Sequence, residues 1–205
     1  MTTESRSAPA TDAVVPADAI VPDGKDWTWV LERPCPDCGF DAASFPATEV
    51  SGLVLRVASA WLAVLADRPD DEVRRRPAPD RWSTLEYACH VRDVFRLFDE
   101  RLRLMLTEDA PRYPNWDQDA TAVEDHYAEQ DPAQVVADLA AGAARIAARF
   151  ATVSGAQWGR TGFRSDGAQF TVDTFARYFV HDPVHHIWDV TGERMPTRRS
   201  GADAV

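Results

Sequence analysis

Apolar residues recur at intervals of three and four along most of the chain, and these intervals predict four helices. Val50, Leu53, Val54, Val57, Trp61, Val64 and Leu65 form the first stripe, over Thr48 to Ala66, and Pro69 ends it. The second helix opens at Ser83-Thr84-Leu85-Glu86. That spacing is a capping box, in which hydroxyl and carboxylate each satisfy the other's backbone amide. Trp82 precedes the cap and is placed to staple onto Tyr87. Leu85, Tyr87, Cys89, Val91, Val94, Phe95, Phe98, Leu102 and Met105 carry this helix towards Pro111. The third helix starts at Asp131-Pro132, a cap with proline at the first position, and runs Ala-rich from Ala133 to Val153. The fourth starts at Thr171 and stops at Gly192. Four long helices with one long connection predict an all-α four-helix bundle.

The stretches between helices are less regular. Ala110 to Gln130 is polar and long for a connection, which suggests a partly ordered lid or crossover. Ser154 to Gln169 is rich in turns, with Asp166-Gly167 as a hairpin signal. Residues 1–24 hold few large apolar groups and read as a disordered leader. Residues 25–47 form an arm: Trp27 and Trp29 alternate with polar residues, and Pro34 and Pro36 exclude a helix, so an extended segment docked on the body is expected. The bundle then occupies residues 48–195 and a flexible tail 196–205.

Composition narrows the function. The 22 Lys+Arg against 33 Asp+Glu give a net charge of -11, a field that repels phosphate backbones, so no nucleic-acid partner is expected. Lys25 is the only lysine, which removes most routes through a Schiff base or a phosphate-loop lysine. No G-x-G-x-x-G follows a strand. No run of 18 apolar residues exists and the N-terminus lacks a secretory pattern, so no membrane association is expected. Three cysteines, an odd number, fit a reducing compartment and a cytoplasmic location.

The remaining chemistry lies in imidazoles. His181 and His185 are ~400° apart on a helix, so they share a face one turn apart. His90 sits among core-facing residues of the second helix and can supply a third nitrogen if the second and fourth helices are neighbours. Three nitrogens leave an open coordination position, as catalytic sites need. Alone, each histidine reads more simply as a satisfied polar residue; the combination makes the site. Pro183 lies between His181 and His185 and demands either a kink or a fresh helix capped by Asp182. His186 points ~100° away from His185 and reads as exposed or supporting. His126, in a polar loop, reads as solvated.

Cys35-Pro36-Asp37-Cys38-Gly39 has three readings. It is a structural turn with packed thiols, half of a metal site, or a redox pair, the last disfavoured by the absence of a strand–helix context. As a half-site it needs two more ligands: Cys89, the histidines, or the same segment of a second chain. Cys89 itself reads as a small core residue. Glu86 is four residues before His90 and could serve as a base, but its cap explains it. Asp93 either supports His90 or pairs with Arg92 or Arg96. Asp182 and Asp189 read as solvated or helix-pairing. Tyr178, Trp188 and Trp82 read as core aromatics, with a pocket mouth as the alternative.

The segments WSTLEYACHVRD (Trp82–Asp93) and HDPVHHIWDV (His181–Val190) resemble the two signatures of the DinB-like superfamily, and the resemblance spans Thr48 to Glu193. It implies a metal-binding four-helix bundle with His90, His181 and His185 as ligands. It further implies zinc or nickel, and a transferase or isomerase that uses mycothiol or bacillithiol as co-substrate on a small molecule. Metal-dependent hydrolysis and a non-catalytic metal- or ligand-binding stress protein are the alternatives, with a homodimer through the arm or helix faces. Pro183 and the arm depart from the family pattern.

Overall fold

The computed structural model describes residues 27–198, so the leader over residues 1–24 and the last seven residues of the tail lie outside it. In chain order the elements are α1 (Val50–Ala66), α2 (Asp70–Arg74), α3 (Thr84–Thr107), β1 (Arg112–Tyr113), α4 (Gln118–Glu124), α5 (Pro132–Ala151), β2 (Thr161–Arg164), β3 (Gln169–Thr171) and α6 (Val172–Thr191). The start signals act as the sequence predicts. Ser83 accepts from the Glu86 amide, and the Ser83 amide donates to Glu86 Oε2 at 2.8 Å. Asp131 caps α5 through the Ala133 amide, and Gly192 ends α6 in the left-handed conformation. Trp82 packs edge-on against Tyr87.

The four long helices make the bundle. Both α1 and α3 pack against α5 and α6, which leaves α1 and α3 opposite one another across a diagonal. Small residues on α5 allow the close α3–α5 contact: a Cβ on Gly142 would lie 3.3 Å from Phe95 Cβ. The Asp99–Arg149 ion pair, at 2.6 Å, ties the same two helices at their edge. Ala47–Ala66 is long and apolar enough to cross a membrane, with a mean hydropathy of 1.6. Here its Leu53, Val54, Val57 and Trp61 are buried in the bundle.

Several expectations change. Helix α6 runs unbroken through Pro183, so Asp182 lies inside the helix and does not cap a new one. The Pro183 carbonyl accepts from Trp61 Nε1 at 3.3 Å, which anchors this turn to α1. The connection from 110 to 130 carries β1, α4 and a 3-10 turn. The hairpin at Asp166-Gly167 joins β2 and β3 antiparallel, and β1 adds in parallel to β2. This small sheet lies close to α3: a Cβ on Gly162 would come within 2.8 Å of Met105 Cγ. The arm docks on the bundle and buries Val30, Cys35, Cys38, Phe40 and Phe45. Its first described residues, Trp27–Leu31, form a 3-10 turn that packs on α6, in place of the extended segment the sequence predicts.

Candidate metal centres on two faces of one helix

Helix α6 carries His181, Asp182, His185 and His186, and helical geometry divides them. Residues 181 and 185 share one face; 182 and 186 share the next, ~100° round the axis. The arm covers the first face and α3 flanks the second. Two groups of donors result, each with its ligand atoms all within 4.8 Å of one another: Cys35, Cys38, His181 and His185, and separately His90, Asp182 and His186.

The second group centres on the Asp182 carboxylate. Its Oδ2 lies 3.4 Å from His90 Nε2 and 3.8 Å from His186 Nε2. Its Oδ1 is buried with no hydrogen-bond partner. Burial pulls this carboxyl upward, but the imidazoles of His90 and His186 outweigh it and hold the group down to about 2. His186 Nδ1 meets Asp189 Oδ2 at 2.7 Å. An imidazole that donates one N–H to a carboxylate keeps its other nitrogen as the lone pair, the usual arrangement behind a metal ligand. His90 is fully buried between Trp82 and Trp116, and the Trp116 ring stacks on it at 5.2 Å. Both ends of this group are therefore held, His186 by a hydrogen bond and His90 by aromatic packing.

An open cavity of about 490 Å³ adjoins this face. Asp182, His186, Tyr178, Trp116, Arg101 and Arg164 are among its lining residues. Asn115 to Asp119 form one side of it, so the polar connection does border the site. Arg101 is buried, Nη2 donates to the Pro114 carbonyl, and Nε has no partner. Burial lowers this guanidinium to about 10, still charged at neutral pH. Arg164 is held by Asp166 and by the Tyr178 hydroxyl.

The first group is buried beneath the arm, and its His181 and His185 also stand among the residues that line the cavity. Cys35, Cys38, His181 and His185 are all buried. Burial, then the neighbouring His185, pushes His181 down to about 3, so its imidazole is neutral at pH 7. Burial also lowers His185 and raises the Cys38 thiol to about 12.

All three histidines singled out in the sequence therefore stand in donor clusters, but not in one. His181 and His185 meet the two arm cysteines, and His90 meets Asp182 and His186. The reason is rotation: the face of α6 turned to His90 is one residue out of phase with the H-x3-H pair. The sequence alone reads Asp182 as solvated or helix-pairing and His186 as exposed or supporting, whereas the structure makes both of them donors. The overlapping D-x3-H pair, with the same four-residue spacing, was the signal that marked them. The other readings sort simply. Glu86 serves the cap and pairs with Arg76 at 2.5 Å. Asp93 binds Arg92 and the Tyr127 hydroxyl, each at 2.7 Å. His126 is exposed. Cys89 is buried beside the Tyr127 carbonyl and Gln130, and burial raises its thiol to about 12.

The model of the DinB superfamily matches residues 54–190. Among solved structures, YfiT from Bacillus subtilis is similar with a TM-score of 0.67 and 20% identity, over 71% of this chain and 84% of its own. It is described as a probable metal-dependent hydrolase with an unusual four-helix bundle topology. No curated protein matches this sequence. With the family match covering more than half of its length and the bundle topology in agreement, this chain belongs to the DinB superfamily.

Proposed function

We propose that the protein is a metal-dependent enzyme that activates a low-molecular-weight thiol, of the mycothiol type, for transfer to a small anionic electrophile. The observation that carries this reading is the His90, Asp182 and His186 cluster beside an open cavity. Two imidazoles and a carboxylate are the donor set of a catalytic divalent ion, and fewer than four protein ligands leave room for a reactant. A buried carboxylate oxygen without a partner is costly in a closed fold, and a cation would satisfy it. Zinc or nickel held there supplies positive charge that lowers the pKa of a thiol or water at the open position.

The surrounding residues have separate tasks. Asp189 orients His186. Trp116 and Trp82 enclose the His90 ring and keep water from it. Arg101 offers the cavity a buried guanidinium whose Nε is unpaired, a site for a carboxylate on the substrate. A strongly acidic chain that keeps such a cation at its cavity suits a small anion and not a nucleic acid. The free cysteines, all buried, suit a reducing compartment.

Hydrolysis is the second reading, favoured by the description of YfiT. One assay separates the two. Zinc- or nickel-loaded protein is mixed with mycothiol and carboxylate-bearing epoxides and haloaromatics. Thiol consumption that Asp182→Asn abolishes supports transfer. Product formation that does not depend on thiol supports hydrolysis. No turnover on either route assigns the cluster to metal or ligand binding alone.

A further inference from the structure

We infer that Cys35, Cys38, His181 and His185 form a second, structural zinc site that locks the N-terminal arm onto α6. The assignment does not depend on the proposed reaction, because it uses none of the three donors His90, Asp182 and His186. The donor order is C-x2-C followed by H-x3-H, a spacing that suits tetrahedral zinc with two thiolates and two imidazoles. With ordinary Zn–S and Zn–N bonds, ligand atoms in a tetrahedron stand roughly 3.3–3.8 Å apart. Cys35 Sγ and His185 Nδ1 are already 3.5 Å apart, and all four donors lie within 4.8 Å of one another.

Three further observations point to an ion. His181 Nε2 is buried without a hydrogen-bond partner, although the residue is only 4% exposed. The cysteine turn is built as a knuckle: the Gly39 amide donates to the Cys35 carbonyl, the Cys35 amide to the Phe40 carbonyl, and Gly39 takes a φ of 75°. Arg194 holds this turn from outside, donating to the Asp37 and Pro36 carbonyls at 2.8 and 2.5 Å. The site is also capped. The Trp27 ring lies 5.7 Å from His181 and 5.2 Å from His185, and Phe40 lies 5.9 Å from His181. Although His181, His185 and Trp27 border the cavity, four protein donors fill a tetrahedral shell and leave no coordination position for a substrate, which marks a structural centre.

Each of the two thiols gives a proton to solvent, the imidazoles bind as neutral rings, and two thiolates neutralise the ion's charge. The ion joins residues 35 and 38 to residues 181 and 185, so it crosslinks the arm to the last helix across most of the chain.

The test uses the full chain, reduced, stripped of metal by chelator and titrated with cobalt(II). A thiolate-to-cobalt charge-transfer band with the intense visible bands of tetrahedral coordination is expected, saturating at one equivalent in Asp182→Asn, where the other cluster no longer competes for the ion. Asp182→Asn keeps this band, and the Cys35→Ser, Cys38→Ser pair loses it with helix content unchanged by circular dichroism. If the cysteine variant does not fold, the wild-type spectrum still decides. Zinc should also slow alkylation of Cys35 and Cys38 at least tenfold. No charge-transfer band in the wild type, a band that survives in the cysteine variant, or a Cys35–Cys38 disulfide in the protein as purified from reducing conditions would overturn the assignment.

Discussion

The two faces of α6 carry donor clusters one residue out of phase, and they are built for different tasks. The face of His181 and His185 is packed under the arm and supplies four buried donors with two thiols, although both imidazoles also border the cavity. The face of Asp182 and His186 adds one histidine from α3, supplies three donors without sulfur, and borders a cavity of about 490 Å³. Donor number separates them: four donors complete a tetrahedral shell and suit an ion that holds a fold, whereas three leave a position for a substrate. A single helix can serve both because neighbouring residues point ~100° apart while residues four apart return to one face.

The largest effect should come from removing a donor on the open face. Asp182→Asn is expected to lower metal-dependent turnover by about 10²-fold or more, since it deletes the only carboxylate in the cluster. Turnover near that of the wild type would break the contrast. On the arm-covered face the readout is stability. In chemical denaturation of the Asp182→Asn protein, which removes the open-face site, zinc at a thousandfold excess over its dissociation constant should add about 4 kcal/mol, and adding the Cys35→Ser, Cys38→Ser pair should lose that increment. Equal zinc responses in the two proteins would remove the structural role.

Asp189 sharpens the comparison because it touches both faces. Its Oδ2 is 2.7 Å from His186 Nδ1 and 3.8 Å from His185 Nε2. Asp189→Asn should weaken metal binding on the open face by about 10–100-fold and leave the arm-covered face within a few-fold. Competition with a chromophoric chelator, read separately in the Asp182→Asn and cysteine backgrounds, checks this.

Glu86 tests whether α3 supplies anything beyond His90. Burial raises its carboxyl, but hydrogen bonds from Arg76 and Ser83 prevail and hold it below 4.5. A carboxyl lowered in the folded state stabilises above its unfolded pKa, and that contribution is lost as pH falls through the folded pKa. Glu86→Gln should therefore cost about 1–2 kcal/mol at neutral pH, with the gap to the wild type closing as pH falls through the lowered pKa of the folded state. Metal content should not change; loss of metal would give Glu86 a place in the site. The smallest effect is expected at His126, exposed and outside both clusters. His126→Ala should shift stability by less than about 0.5 kcal/mol and leave the metal-to-protein ratio as it was.

The long elements were legible because each carried both a period and a terminus signal. Ser83-x-x-Glu86, Asp131-Pro132 and Gly192 mark boundaries found within a residue or two. The short α2, α4 and three strands were less so, since two to seven residues carry too little periodicity; only the Asp166-Gly167 turn announced its hairpin. At the site, the H-x3-H period established that His181 and His185 share a face, but not which neighbour that face meets. That depends on the rotation of α6 between α1, α3 and the arm, a property of packing. Asp182 and His186 satisfy the same spacing rule, but an aspartate on a helix is usually solvated, so spacing alone does not mark it as a ligand. The C-x2-C was legible as half a site, and the histidines were among its candidate partners. Their arrival from residue 181 onwards required the arm to fold back on the last helix.

The most direct test of the account is anomalous scattering at the zinc edge from a crystal of the zinc-loaded full chain. Two separate peaks are predicted, one among Cys35, Cys38, His181 and His185 and one among His90, Asp182 and His186. A single peak shared by His90, His181 and His185 would contradict it.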